Sequence, residues 1–114
     1  MYKVKDDSKN LIVSFEEQDL SSDVVLHLKE FLVEMAPCKR IAIDLDNIIT
    51  AQNEFFNMLR ELSEAKKISL FNISADINFL LFLMNYNQYT RLYSSENDFL
   101  EGKRELVKRN FKFA

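Results

Sequence analysis

The sequence predicts a single α/β domain in which a mixed sheet of four or five strands carries packed helices. Short runs rich in β-branched residues alternate with longer runs whose apolar residues recur every three or four positions. The chain has 114 residues, of which 47% are hydrophobic, enough for one continuous core across residues 1–114. The chain contains one glycine and one proline, so it has few of the residues that form flexible linkers and tight hairpin turns.

The first half of the chain predicts a hairpin, a helix and a central strand. Tyr2–Lys5 and Leu11–Phe15 are strand-like runs separated by a polar stretch, which is typical of a hairpin. A pair of serines then caps a helix with one apolar stripe, and the helix ends near Met35 because Pro37 stops its propagation. Arg40–Leu45 is apolar without alternation, which indicates a strand buried on both faces.

The second half repeats the pattern of helix and strand twice. A helix is predicted from about residue 52 to 66, and Ile68–Ile73 is the next strand. A third helix spans residues 75–85, Thr90–Tyr93 is a short strand, and a final helix runs from residue 96 to 110 or beyond. Strands separated by helices imply parallel neighbours joined by right-handed crossovers, so the expected order is ββαβαβαβα.

Composition excludes several classes of function. A net charge of −3 and a pI near 5.2 argue against a nucleic-acid partner, which requires clustered cations. The longest apolar-rich stretch, residues 68–93, is interrupted by polar side chains, so we expect no integral membrane segment. Cys38 cannot form an internal disulfide, and the first ten residues lack the pattern of a secretory signal. We therefore expect a cytoplasmic protein.

The titratable residues do not form a recognisable catalytic set. The lone His27 lies within the first helix, and Cys38 is not spaced from it as zinc ligands are, so we expect no catalytic residue, metal or cofactor. Asp44 and Asp46 follow a buried strand, where magnesium-binding carboxylates often project. They leave open a small magnesium-dependent enzyme, although turn formation is the better interpretation of Asp46 and Asn47.

Three stretches resemble the STAS domain family, the sulfate transporter and anti-sigma factor antagonist domains. They are Arg40–Ile48 (RIAIDLDNI), Lys66–Ser74 (KKISLFNIS) and Arg91–Asp98 (RLYSSEND). In the family, a basic residue and an apolar strand containing Asp-Leu precede a turn and a helix, and a later strand ends near an Asn before a capped helix. The resemblance covers nearly the whole chain and implies a regulatory domain that binds other proteins and has no catalysis of its own.

The chain departs from the family at its signature site. In anti-sigma factor antagonists the loop opening the second helix is Asp-Ser-Ser-Gly, and a partner kinase phosphorylates the first serine. The matching stretch here is Gln52-Asn53-Glu54-Phe55, so Asn53 takes the serine position and has no hydroxyl group. The resemblance therefore implies a degenerate phosphorylation site, for which the nearby Thr50 is a weak substitute.

The helix start remains a candidate docking surface, since its free N–H groups and side chains can hydrogen-bond a partner. We expect the partner-binding residues to be Thr50, Gln52, Asn53, Glu54 and Phe56. The resemblance implies a partner that is an anti-sigma factor or kinase-like protein. Alternatively, the chain is a STAS-like subunit of a membrane transport or lipid-handling complex, bound to a transporter subunit. The apolar third helix also offers a surface for homodimer formation.

Overall fold

The computed structural model describes residues 2–35, 39–63, 68–83 and 90–102, which form seven strands and four helices. The strands are β1 (Tyr2–Asp6), β2 (Asn10–Phe15), β3 (Asp19–Leu20), β4 (Arg40–Asp44), β5 (Thr50–Ala51), β6 (Ser69–Phe71) and β7 (Arg91–Tyr93). The helices are α1 (Ser22–Met35), α2 (Asn53–Ser63), α3 (Ala75–Leu83) and α4 (Glu96–Glu101). No helix within these ranges is long and apolar enough to cross a membrane.

Five of the strands form the main sheet, in the order β1-β2-β4-β6-β7. β1 pairs antiparallel with β2, and every other neighbouring pair is parallel. The N-terminal hairpin therefore lies at one side of the sheet, and the predicted mixed sheet is confirmed. In the middle of the sheet, Ile43 of β4 is aligned with Val13 of β2 and with Leu70 of β6.

The two faces of the sheet are covered unequally. Alternate strand residues such as Val13 and Ile43 contribute to a large core with the buried side chains of α1, α2 and α3. On the opposite face, α4 adds Phe99 to a smaller cluster. The other members of that cluster are Ile12, Ala42, Phe71 and Tyr93. The sheet is thus a rigid support with three helices on one side and one short helix on the other.

The turn between β1 and β2 is closed by Asp7. Its Oδ1 accepts hydrogen bonds from the backbone N–H groups of Lys9 and Asn10, both at 2.7 Å. These two bonds hold the pKa of the Asp7 carboxyl below its ordinary value of 3.8, and the nearby Lys39 lowers it further. A charged aspartate thus fixes the connection that the sequence shows only as a polar stretch.

A second sheet of two strands was not predicted. β3 and β5 pair in parallel, with Asp19 aligned to Thr50 and Leu20 to Ala51. Each strand has two residues, too few for an alternating pattern to be recognised. This sheet is nevertheless important, because β3 leads directly into α1 and β5 into α2.

Helix α4, the last in the described part of the chain, ends earlier than predicted. Ser95 caps its start by accepting a hydrogen bond from the Asp98 N–H at 3.3 Å, as expected for one of the two serines. Gly102 has a φ of 68° and ends the helix at Glu101. The prediction of an uninterrupted helix to residue 110 is wrong at Gly102, and the ends predicted for the second and third helices lie outside the described residues.

Candidate docking surface at the start of α2

The small sheet places the first residues of α1 and α2 beside each other. The Gln18 carbonyl oxygen accepts hydrogen bonds from the N–H groups of Ile49 and Thr50, at 2.7 and 3.2 Å. The Thr50 hydroxyl donates to Asp19 across the paired strands. Since both strands end within two residues of a helix, this pairing fixes the distance between the two helix starts.

A serine of α1 joins the two helix starts directly. Ser22 Oγ lies 2.8 Å from Gln52 Oε1 and 2.9 Å from Glu54 Oε1. A hydroxyl has one proton, so it donates to one of these oxygens at a time. The start of α2 is therefore held by polar contacts that solvent can reach.

The predicted binding residues divide into an exposed group and a buried one. Thr50, Gln52, Asn53 and Glu54 are exposed and lie within five positions of the sequence; we call them the docking surface. Phe56 is only 2% exposed and belongs to the main core, so the structure places its side chain beneath this surface and not on it. The reason is helical geometry, which turns Phe55 and Phe56 toward the core while Asn53 and Glu54 face outward.

Phe56 has a supporting role together with its neighbour. Phe55 is completely buried, and the two rings meet edge to face with their centroids 5.5 Å apart. Two adjacent aromatic side chains in the core anchor the first turn of α2. The exposed side chains of the docking surface are therefore carried by a rigid base.

Three further residues border this surface and were not predicted to do so. Ser22 contacts it, Asp19 accepts from Thr50, and Ile49 exposes 55% of its surface beside it. Asp19 and Ser22 lie about thirty residues away in the sequence, so no local spacing indicates the contact. Of the three, only Ile49 could have been predicted from the sequence, because it forms an apolar pair with Ile48 just before the helix.

Asp44 and Asp46 belong to a separate cluster at the end of β4. Asp44 Oδ1 accepts hydrogen bonds from the Asp46 N–H and from Asn72 Nδ2, both at 3.0 Å. Asn72 adopts a left-handed φ of 56°, which turns the chain after β6 toward this carboxylate. These hydrogen bonds thus connect the end of β4 with the end of the neighbouring strand β6. No group of three or more potential metal-ligating side chains occurs within the described ranges.

The third helix exposes two large apolar side chains, as its composition suggested. Phe79 and Leu83, one turn apart on α3, are 59% and 58% exposed. The buried Ile77 and Leu81 hold the opposite side of the helix in the core.

Comparison with known proteins gives structural matches. No family model matches the sequence, and no curated protein matches it significantly. An anti-sigma-factor antagonist (STAS) domain protein from Planctomyces limnophilus superposes with a TM-score of 0.74 at 20% identity, covering 89% of this chain and 95% of that one. A structure of the anti-sigma factor antagonist SpoIIAA in its unphosphorylated form has a TM-score of 0.67 at 9% identity, with coverages of 90% and 96%.

A third solved structure agrees with these two. It is a protein from Thermotoga maritima proposed to be an anti-sigma factor antagonist, with a TM-score of 0.64, 17% identity and coverages of 90% and 92%. The resemblance noted in the sequence is confirmed at the level of the fold, over nearly the whole length of each partner in the comparison. The chain is therefore an α/β domain with the STAS fold.

Proposed function

We propose that this chain is a regulatory protein-interaction module that docks a partner protein on the start of α2, without catalysing a reaction. The observation that carries the proposal is the arrangement of four exposed polar residues, Thr50, Gln52, Asn53 and Glu54, on a base anchored in the core. A surface that is already ordered loses little conformational entropy when it binds, which favours its use in recognition. The STAS neighbours, which are named as anti-sigma-factor antagonists, support the same assignment.

The chemistry of the docking surface suits hydrogen bonding to another protein. A helix start leaves its first backbone N–H groups without acceptors inside the helix. Asn53 supplies an amide, and Glu54 supplies a carboxylate at the first turn of α2. We propose that binding here is independent of phosphorylation at position 53, because an asparagine side chain has no hydroxyl group.

The proposal predicts that making the helix start positively charged weakens capture of the partner. The full chain, carrying an affinity tag, is used as bait in a lysate of the cells that encode it, and recovered proteins are quantified by mass spectrometry. We expect the double substitution Asn53→Arg/Glu54→Arg to lower recovery of the specific partner by about tenfold, equivalent to about 1.4 kcal/mol. The substituted side chains are bulky and cationic and replace the amide and carboxylate that the partner would contact.

The first two residues of α3 provide a matched control. Ala75→Arg/Asp76→Arg makes the same change in net charge at the same two positions of a different helix, and both residues are exposed. Recovery should remain at the wild-type level with this variant. Equal recovery with both variants, each shown to be folded by circular dichroism, would exclude the start of α2 as the docking surface. If the partner recovered is a membrane transport complex, the chain is a subunit of such a complex.

A further inference from the structure

We infer that the partner also contacts the outer face of α1, and that it does so with a basic surface carrying apolar side chains. This inference rests on the proposed function and extends the same site. We define the α1 outer face by Asp23, Leu26, Glu30, Val33 and Glu34, all of which are exposed. Its composition and its connection to the start of α2 carry the inference.

Two aliphatic side chains on this face are open to solvent. Leu26 is 59% exposed and Val33 is 53% exposed. They are seven residues apart, so they lie on the same side of the helix and about 10 Å from each other along its axis. The core side of α1 is formed by other residues, including Val25 and Leu28. Leu26 and Val33 therefore do not contribute to the buried stripe that holds α1 on the sheet.

The charges around these two side chains are predominantly negative. Carboxylates lie along one flank of these side chains on α1, and others follow on the adjoining side of α2. All are exposed: Asp23, Glu30, Glu34, Glu54 and Glu61. Lys29 lies between the two helices, where Glu61 pairs with it. An acidic surface favours a basic partner because opposite charges speed the encounter and exclude acidic competitors.

The α1 outer face is continuous with the docking surface. A groove of about 200 Å³ runs between the two helices and is lined by Ser22 and Leu26 from α1 and by Glu54 and Asn57 from α2. Glu54 thus belongs to both regions, and Ser22 connects them by its contacts with Gln52 and Glu54. A protein bound at the start of α2 would therefore contact Leu26 across this groove.

The exposed patch on α3 is a less suitable candidate for this partner. Phe79 and Leu83 are as exposed as Leu26 and Val33, but the first turn of α3 contributes a single carboxylate, Asp76. Charge complementarity therefore distinguishes the α1 outer face from an apolar patch of similar size. The same difference makes α3 an appropriate control.

The inference can be tested with two designed helical peptides of about 18 residues. One carries leucines on one face and lysines on the other, and the second has glutamate in place of every lysine. Binding of fluorescently labelled peptide to the full chain is measured by anisotropy. We expect the lysine peptide to bind at least about tenfold more tightly than the glutamate peptide, and its binding to weaken as salt rises from about 50 to about 300 mM.

Matched variants then locate the binding site. Leu26→Gln/Val33→Gln should weaken binding of the lysine peptide by about tenfold, because the apolar contact is lost while all charges remain. Phe79→Gln/Leu83→Gln, which makes the corresponding change on α3, should leave binding unchanged. The inference is overturned if the glutamate peptide binds equally well, or if the α3 variant weakens binding as much as the α1 variant.

The same α1 variant separates this inference from the proposed function. In the capture experiment, Leu26→Gln/Val33→Gln should lower recovery of the partner, as Asn53→Arg/Glu54→Arg does in a separate variant. Normal recovery with the α1 variant and lost recovery with the α2 variant would overturn the inference and leave the proposed function standing. Loss with the α1 variant alone would instead contradict the proposed role of the α2 start.

Discussion

Replacing Phe99 with alanine should destabilise the domain by about 3–5 kcal/mol, the usual cost of removing a buried aromatic ring. The Phe99 side chain is completely buried and attaches α4 to the sheet. Its ring centroid lies 6.1 Å from that of Phe71 and 5.8 Å from that of Tyr93. The Arg40 guanidinium carbon lies 4.4 Å from the same ring centroid, so three side chains contact the ring.

The ion pair between α4 and β1 is too weak to replace this ring. Lys5 pairs with Glu96 at 2.9 Å, but the Lys5 side chain is 69% exposed, and such ion pairs contribute about 0–1 kcal/mol. Urea denaturation gives the free energy of unfolding, with Leu100→Ala as the control because Leu100 is adjacent in α4 and 38% exposed. A loss for Phe99→Ala no greater than for Leu100→Ala would show that α4 is not anchored by Phe99.

Replacing Phe56 with alanine should likewise cost about 3–5 kcal/mol, and this result decides between two roles for the residue. The sequence predicted Phe56 as a binding residue, whereas the structure places it in the core under the start of α2. If its role is support, Phe56→Ala lowers the free energy of unfolding substantially. Any loss of partner binding should then follow the fraction of chain that is unfolded.

The neighbouring Asn57 provides the comparison. Asn57 is exposed on α2, so Asn57→Ala should change the free energy of unfolding by less than about 0.5 kcal/mol. Both variants are measured by urea denaturation, and Phe56→Ala is also tested by capture of the partner. Loss of binding by Phe56→Ala without loss of stability would contradict the supporting role and restore Phe56 to the binding surface.

The sheet and the helices that cover it were predictable because their signals are local. The apolar run at Arg40–Leu45 corresponds to β4, and α1 has the predicted bounds because its apolar stripe and its proline stop are both visible in the sequence. The mixed sheet followed from the alternation of strands and helices. Element ends were less accurate, as at Gly102, where one left-handed residue ends α4.

The site was predictable only in part, because its geometry depends on contacts between distant segments. The pairing of β3 with β5 brings Ser22 to Gln52, thirty residues away, and neither two-residue strand leaves a pattern. The location of the α2 start came from the family resemblance. The resemblance did not predict the direction of each side chain. Only the structure shows that Phe56 lies on the side of α2 that faces the core.

Hydrogen–deuterium exchange of the full chain, with and without the partner recovered in the capture experiment, tests the central claim most directly. Amides covered or rigidified by a bound protein exchange more slowly than in the free chain. If the α2 start is the docking surface, the partner should slow exchange in residues 49–55, with a second protected stretch along the outer face of α1. Protection confined to α3 or α4, with exchange at residues 49–55 unchanged, would contradict the account.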